Sequence, residues 1–269
     1  MYKQRIKEAK QLNKLQIIDF LNSDTFPSNL LKLVSDFYNA NTEIKKTLLE
    51  SPHCLADNII FNRYYFAQNV LKGIEKEIAD KTFALYHATR IDNADTILQL
   101  GIKCFEKNEY IKYIETVLRV KGVCYFRRKK AIKHLKKTQS DKYCFSLKQN
   151  VCFFSNYTGD DTFYTEYCKN IGGELALSAF QDDFPQIFSL LQSGKPVIVK
   201  FESDYASFSS CTKECICKQF FRWASAKCLG FGEQTIEVDG EIEKNITPEH
   251  IIDTFLIEND AITYTASRL

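Results

Sequence analysis

Apolar residues recur at three- and four-residue intervals through the first eighty positions. Leu15, Ile18 and Leu21 form one such run, and Leu30, Leu31, Leu33, Val34 and Phe37 form another. This spacing puts apolar side chains on one face of an α-helix. Pro27 and Pro52 interrupt it, because proline cannot continue the helical hydrogen-bond ladder. Residues 1–80 are therefore expected to be a helical amino-terminal region, a packing or partner-binding appendage without a catalytic signature.

After Lys81 the pattern changes. Phe83 to His87 is an apolar run expected as a strand, and Asp92 or Asn93 can cap a following helix whose apolar face holds Ala94, Ile97 and Leu98. Gly101 can end that helix. A further strand is expected at Tyr143 to Ser155. The segment GDDTFYTEYCKNIGG then sets Phe163, Tyr164, Tyr167, Cys168 and Ile171 on one helical face, started by Asp160 or Asp161 and stopped by Gly172. Strands are expected at Glu174 to Phe180 and at Pro196 to Glu202, flanking a helix that Pro185 opens and Gly194 closes. QTIEVDGEIEKNI reads as two strands joined at Asp239-Gly240, since both residues tolerate positive φ. A last strand is expected at Ile251 to Glu258. The whole is an α+β pattern.

Charge changes this picture in one place. The chain has a net charge of only +2, yet residues 101–142 hold 13 Lys and Arg against 4 Asp and Glu, with the density highest in RRKKAIKHLKK. We read about 103–142 as a basic insertion. With Tyr110, Tyr113, Tyr125 and Phe126 as stacking rings, it offers a nucleic-acid-binding alternative for the protein's function.

Composition excludes other classes. At 45% hydrophobic and 26% charged, the 269 residues suit a packed soluble chain, and no apolar stretch approaches the roughly 20 residues of a spanning helix. No membrane partner is expected. The start, MYKQRIKEAKQLNK, lacks the apolar centre of a secretory signal, which implies a cytoplasmic protein or an effector delivered into a host cytosol by dedicated machinery. The ten cysteines are scattered, as befits reduced thiols. Cys211, Cys215, Cys217 and Cys228 are crowded enough to allow zinc in principle, but they lack CxxC knuckles and a nearby histidine, and no metal is expected. There is no GxGxxG fingerprint and no GxxxxGK loop, which disfavours Rossmann dehydrogenases and P-loop enzymes.

The most distinctive block is Tyr86, His87, Ala88, Thr89, followed by a helical stretch ending Ile97-Leu98-Gln99-Leu100-Gly101-Ile102. It resembles the start of the NAD-binding core of ADP-ribosyltransferases of the diphtheria-toxin and poly-ADP-ribose polymerase type, which open with a Tyr-His-Gly-Thr-like strand and a short helix. VCFFSNYTGDDTFYTEY, residues 151–167, resembles the diphtheria-type aromatic-Ser-Thr segment and its tyrosine-bearing helix. The resemblance covers about residues 83–258.

The resemblance implies a split antiparallel β-sandwich core in residues 81–269 that takes NAD as substrate, releases nicotinamide and transfers ADP-ribose to a macromolecule. That is glycosyltransferase chemistry of the kind used by toxins. In that family the roles fall in the order His, Tyr, Glu. His87 would hold a ribose hydroxyl, with Ala88 and Thr89 beside it and Arg90 at the diphosphate. Tyr164 or Tyr167 would stack on nicotinamide, and Phe154 stands where the family has a first tyrosine, keeping the ring and losing the hydroxyl. Glu233, or alternatively Glu237, would hold the ribose and counter the oxocarbenium charge. A protein is the implied acceptor, with nucleic acid as the alternative through the basic segment.

Overall fold

The computed structural model describes residues 17–52, 67–91, 95–104, 106–141, 151–155, 171–232, 234–258 and 261–267. Within these the fold is α+β. In chain order the elements are β1 (Ile17–Asp19), α1 (Asn29–Ala40), α2 (Thr42–Glu50), α3 (Ala67–Ile78), β2 (Thr82–Ile91), α4 (Asp95–Leu100), α5 (Lys107–Val120), α6 (Tyr125–Asp141) and β3 (Val151–Phe154). There follow α7 (Gly173–Phe180), α8 (Pro185–Leu191), β4 (Lys195–Asp204), α9 (Ser210–Leu229), β5 (Asp239–Ile242), β6 (Ile251–Glu258) and β7 (Ala261–Ser267).

The strands follow the order β5-β3-β2-β4-β6-β7, with β1 also paired to β2. β1 runs parallel to β2 in the register Ile18 to Phe83. β4 and β6 are antiparallel, with Ile198 opposite Phe255 and a bulge between Lys200 and Phe201; β6 and β7 are antiparallel as well. β2 lies inside the order, and its sequence fits that place. Phe83, Ala84, Leu85 and Tyr86 are all buried, as in a strand covered on both faces, before alternation sets in at His87.

The chain divides into two compact units. One comprises Met1–Leu85, Phe154–Asn156 and Glu202–Gly240; the other comprises Tyr86–Phe153, Tyr157–Phe201 and Glu241–Leu269. The first therefore combines the amino-terminal helices with α9, a segment from far along the chain.

In the first unit, α1, α3 and α9 pack on one another. α1 buries Leu30, Val34 and Tyr38, one residue per turn. α9 is held at its start by the Ser209 hydroxyl, which accepts from the Thr212 N–H at 3.2 Å, and at its end by Gly230 at φ 78°. Its buried residues include Thr212, Ile216, Phe220, Phe221, Trp223, Ala224 and Ser225, so they wrap most of its circumference. Aromatic rings meet edge-on here, Phe26 against Phe220 at 5.1 Å and against Trp223 at 4.9 Å. Burying one such ring stabilises by about 1.5–3 kcal/mol.

In the second unit, α5, α6, α7 and α8 form a helical cluster around Ile114, Leu118, Ala131, Leu135, Ala176, Phe180 and Leu191. The basic stretch is therefore two packed helices with an apolar face.

Three expected elements are corrected. Ile18, expected on a helical face with Leu15 and Leu21, lies instead in strand β1, where it pairs with Phe83 of β2. Glu174 to Phe180, expected as a strand, is helix α7. Its sequence has no β-branched residue, and Ile171, Ala176, Ala179 and Phe180 bury at helical spacing against α5 and α6. The hairpin expected at Asp239-Gly240 does not form. Both residues lie inside β5, and Gly240 is not among the glycines with positive φ. Just before it, both the N–H and the carbonyl of Val238 are bonded to Ser155. No helix among the described residues is long and apolar enough to cross a membrane.

Candidate functional site

β2 carries the residues of the Tyr-His-Ala-Thr block. Side chains alternate along a strand, so His87 and Thr89 share one face and Ala88 and Arg90 the other. His87 and Thr89 are half-buried; Ala88 is buried. Beneath the block, the Lys200 ammonium lies over the Tyr86 ring at 5.4 Å from its centre.

His87 Nδ1 lies 2.8 Å from the Cys152 carbonyl oxygen on β3. A carbonyl only accepts, so Nδ1 carries the proton and donates it. Burial pushes the imidazole pKa below its ordinary 6.5, while the Cys152 bond works weakly the other way. At neutral pH the ring is thus neutral, with its tautomer assigned by this bond. That leaves the Nε2 lone pair as an acceptor, suited to a hydroxyl and unsuited to donating a proton.

The strand is followed by α4, whose last turn passes into Gly101 at φ +72°. A Cβ there would sit 2.0 Å from the Ile246 carbonyl oxygen. The close approach allows Ile102 and Ile246 to exchange two N–H to carbonyl bonds of 2.8 Å each. Asn245 Oδ1 also accepts from the Cys104 N–H at 2.7 Å. The Gly-Ile at the end of the motif thus anchors the helix that follows His87.

Arg90 was expected at a diphosphate. Its Nη1 donates to the carbonyls of Gln192 and Gly194, at 2.9 and 2.8 Å, and so braces the turn between α8 and β4.

In the first unit, Phe154 is buried and cannot offer an open ring face. The next residue, Ser155, is buried too and was not anticipated as important. Its N–H donates to Val238 O at 2.8 Å, its hydroxyl donates to Ile236 O at 3.2 Å, and its Oγ accepts from Val238 N–H at 2.7 Å. Ile236 and Val238 point inward, and Glu237 between them is exposed. The signal that could have revealed this was a serine ending an apolar strand, where a side-chain oxygen replaces ladder partners.

Tyr164, Tyr167 and Glu233 lie outside the described residues, as do Asp92 and Asn93. Of the cysteines considered for zinc, Cys211 is exposed, Cys217 buried and Cys215 and Cys228 intermediate along α9. Among the described residues no group of three or more His, Cys, Asp or Glu is arranged to hold a metal. Tyr110, expected as a stacking ring, instead donates its hydroxyl to Gly172 O at 2.7 Å, and burial raises its pKa strongly.

Comparison with family models, with curated proteins and with solved structures finds no match to this chain.

Proposed function

We propose that this protein is a mono-ADP-ribosyltransferase with the split β-sandwich core of that superfamily, acting on NAD and needing no metal. The observation that carries the proposal is the bond from His87 Nδ1 to Cys152 O, which fixes a neutral imidazole with an acceptor nitrogen in the Tyr-His-Ala-Thr block. A ribose hydroxyl is the donor such a nitrogen suits. The α+β fold and the strand, helix, Gly-Ile order of residues 86–102 support the same reading.

In this mechanism the bond between ribose C1′ and the nicotinamide nitrogen breaks, and its electron pair leaves with nicotinamide. The oxocarbenium ion that remains is attacked at C1′ by a nucleophile of the acceptor, a protein side chain by preference, whose proton passes to solvent. Glu233 or Glu237 holds the ribose 2′-hydroxyl and counters the positive charge, a contribution of roughly 10²–10³-fold. Tyr164 or Tyr167 stacks on nicotinamide. His87 with Thr89, on the same strand face, positions the adenosine side of NAD. A toxin or effector acting in a host cytosol would use the same steps.

The test is nicotinamide release from labelled NAD, measured with a cell lysate as the acceptor source, together with NAD binding by calorimetry. Loss of release in His87→Ala and in one of Glu233→Ala or Glu237→Ala, with folding retained, supports the proposal. Absence of NAD binding by the intact protein overturns it.

A further inference from the structure

The basic segment plays no part in the chemistry above, and helix α6 shows how it is organised. Ala131, Ile132 and Leu135 are buried against the helical cluster, and Arg128 turns inward, with its Nη1 on the Val123 carbonyl at 3.0 Å and its Nε 3.8 Å from Glu115. The opposite face carries Arg127, Lys129, Lys130, Lys133 and Lys136, all exposed. None of these five makes an ion pair among the described residues, whereas Lys32, Lys112 and Lys218 on other helices each have a carboxylate three or four residues away. A cationic track without carboxylate partners among the described residues thus runs from 127 to 136, about 14 Å at the helical rise. At its start Phe126 is 81% exposed and Tyr125 56%, their rings edge-on at 5.6 Å.

The Tyr125 ring already has Lys129 Nζ at 5.7 Å and the Arg128 guanidinium at 5.8 Å from its centre, so Phe126 is the ring left open. We infer that this face of α6 docks single-stranded nucleic acid, the cations tracking the phosphates and Phe126 offering its ring to unpaired bases. Three classes of polyanion could meet the charge, and the ring chooses among them. Paired bases in a duplex present no open face for a protruding ring, whereas unpaired bases stack on aromatics whatever their identity. An anionic membrane favours a helix with an apolar face to bury in the interface, but the apolar residues of α6 after Phe126 all face the core. This inference is independent of the transferase proposal.

The experiment uses the full chain and a fluorescein-labelled 20-nucleotide oligo(dT), read by anisotropy across salt concentrations. Five phosphate contacts on a single strand give a slope of log K against log salt of about −3.5. The triple variant Lys129→Gln, Lys130→Gln, Lys133→Gln is expected to bring that slope to about −1.4, and Phe126→Ala to weaken binding about tenfold with the slope unchanged. All four residues are exposed, so the variants keep the fold, which circular dichroism checks. Three results overturn the inference: no binding at low salt, unchanged affinity in the triple variant, or tighter binding to a 20-base-pair duplex or to phosphatidylserine vesicles than to oligo(dT).

Discussion

Ser155 and Val238 exchange two hydrogen bonds, Ser155 N–H to Val238 O at 2.8 Å and Val238 N–H to Ser155 Oγ at 2.7 Å, across 83 positions of sequence. Both residues are buried, so the second bond has no water to replace it. Ser155→Ala strands the Val238 N–H and is expected to cost about 1–3 kcal/mol in urea unfolding. A loss below about 0.5 kcal/mol, the scatter of ordinary surface changes, would show that this clamp is dispensable.

Gly101 gives a sharper effect. Alanine there meets both the left-handed φ and a Cβ position 2.0 Å from the Ile246 oxygen, an atom of the backbone that cannot rotate away. Gly101→Ala should destabilise by at least about 2 kcal/mol. An unchanged midpoint in thermal unfolding would contradict the close approach.

The neutral state of His87 links folding to pH. Its folded pKa lies below the ordinary 6.5, so as pH falls through 6.5 the unfolded chain takes up the proton first, and stability declines until the folded pKa is passed. Above 6.5 both states are neutral and the effect vanishes. Unfolding curves from pH 7.5 to 5 should therefore be steeper in pH for the native protein than for His87→Gln. Equal slopes would remove the desolvation argument.

Thiol reactivity should sort by surroundings. Cys217 is buried, its pKa pushed up to about 11 mainly by that burial, with the Tyr205 hydroxyl 3.5 Å away acting weakly against it. Cys124, Cys152 and Cys211 are exposed. Iodoacetamide at pH 8, followed by peptide mass spectrometry, should modify those three well before Cys217. Early labelling of Cys217 would mean that α9 opens locally.

Strand β2, helix α8, strand β4 and strand β6 were legible because each has a clear period or a punctuating residue, such as Pro185 in the first turn of α8 or Gly194 ahead of β4. The sequence of α9 concealed a helix for the opposite reason. It is buried around most of its circumference, so no amphipathic stripe stands out, and its crowded cysteines are compatible with metal chemistry on sequence alone. The α7 segment is ambiguous in sequence because a short apolar run fits strand and helix alike until its packing partners are known. At the site, the placement of His87 on a strand before a helix could be read from residues, but its tautomer could not. That depends on a carbonyl 65 positions away. Likewise nothing local to Arg90 announces the two carbonyls it braces.

The discontinuous first unit has a consequence for biosynthesis. Phe20 and Phe26 leave the ribosome long before Phe220 and Trp223, the rings that cover them, and Phe83 long before its partners Tyr205 and Phe208. At about 5–20 residues per second the nascent chain carries that unmated aromatic surface for on the order of ten seconds. During this interval it is a substrate for holdase chaperones, and a ribosome stalled between residues 90 and 200 displays it indefinitely.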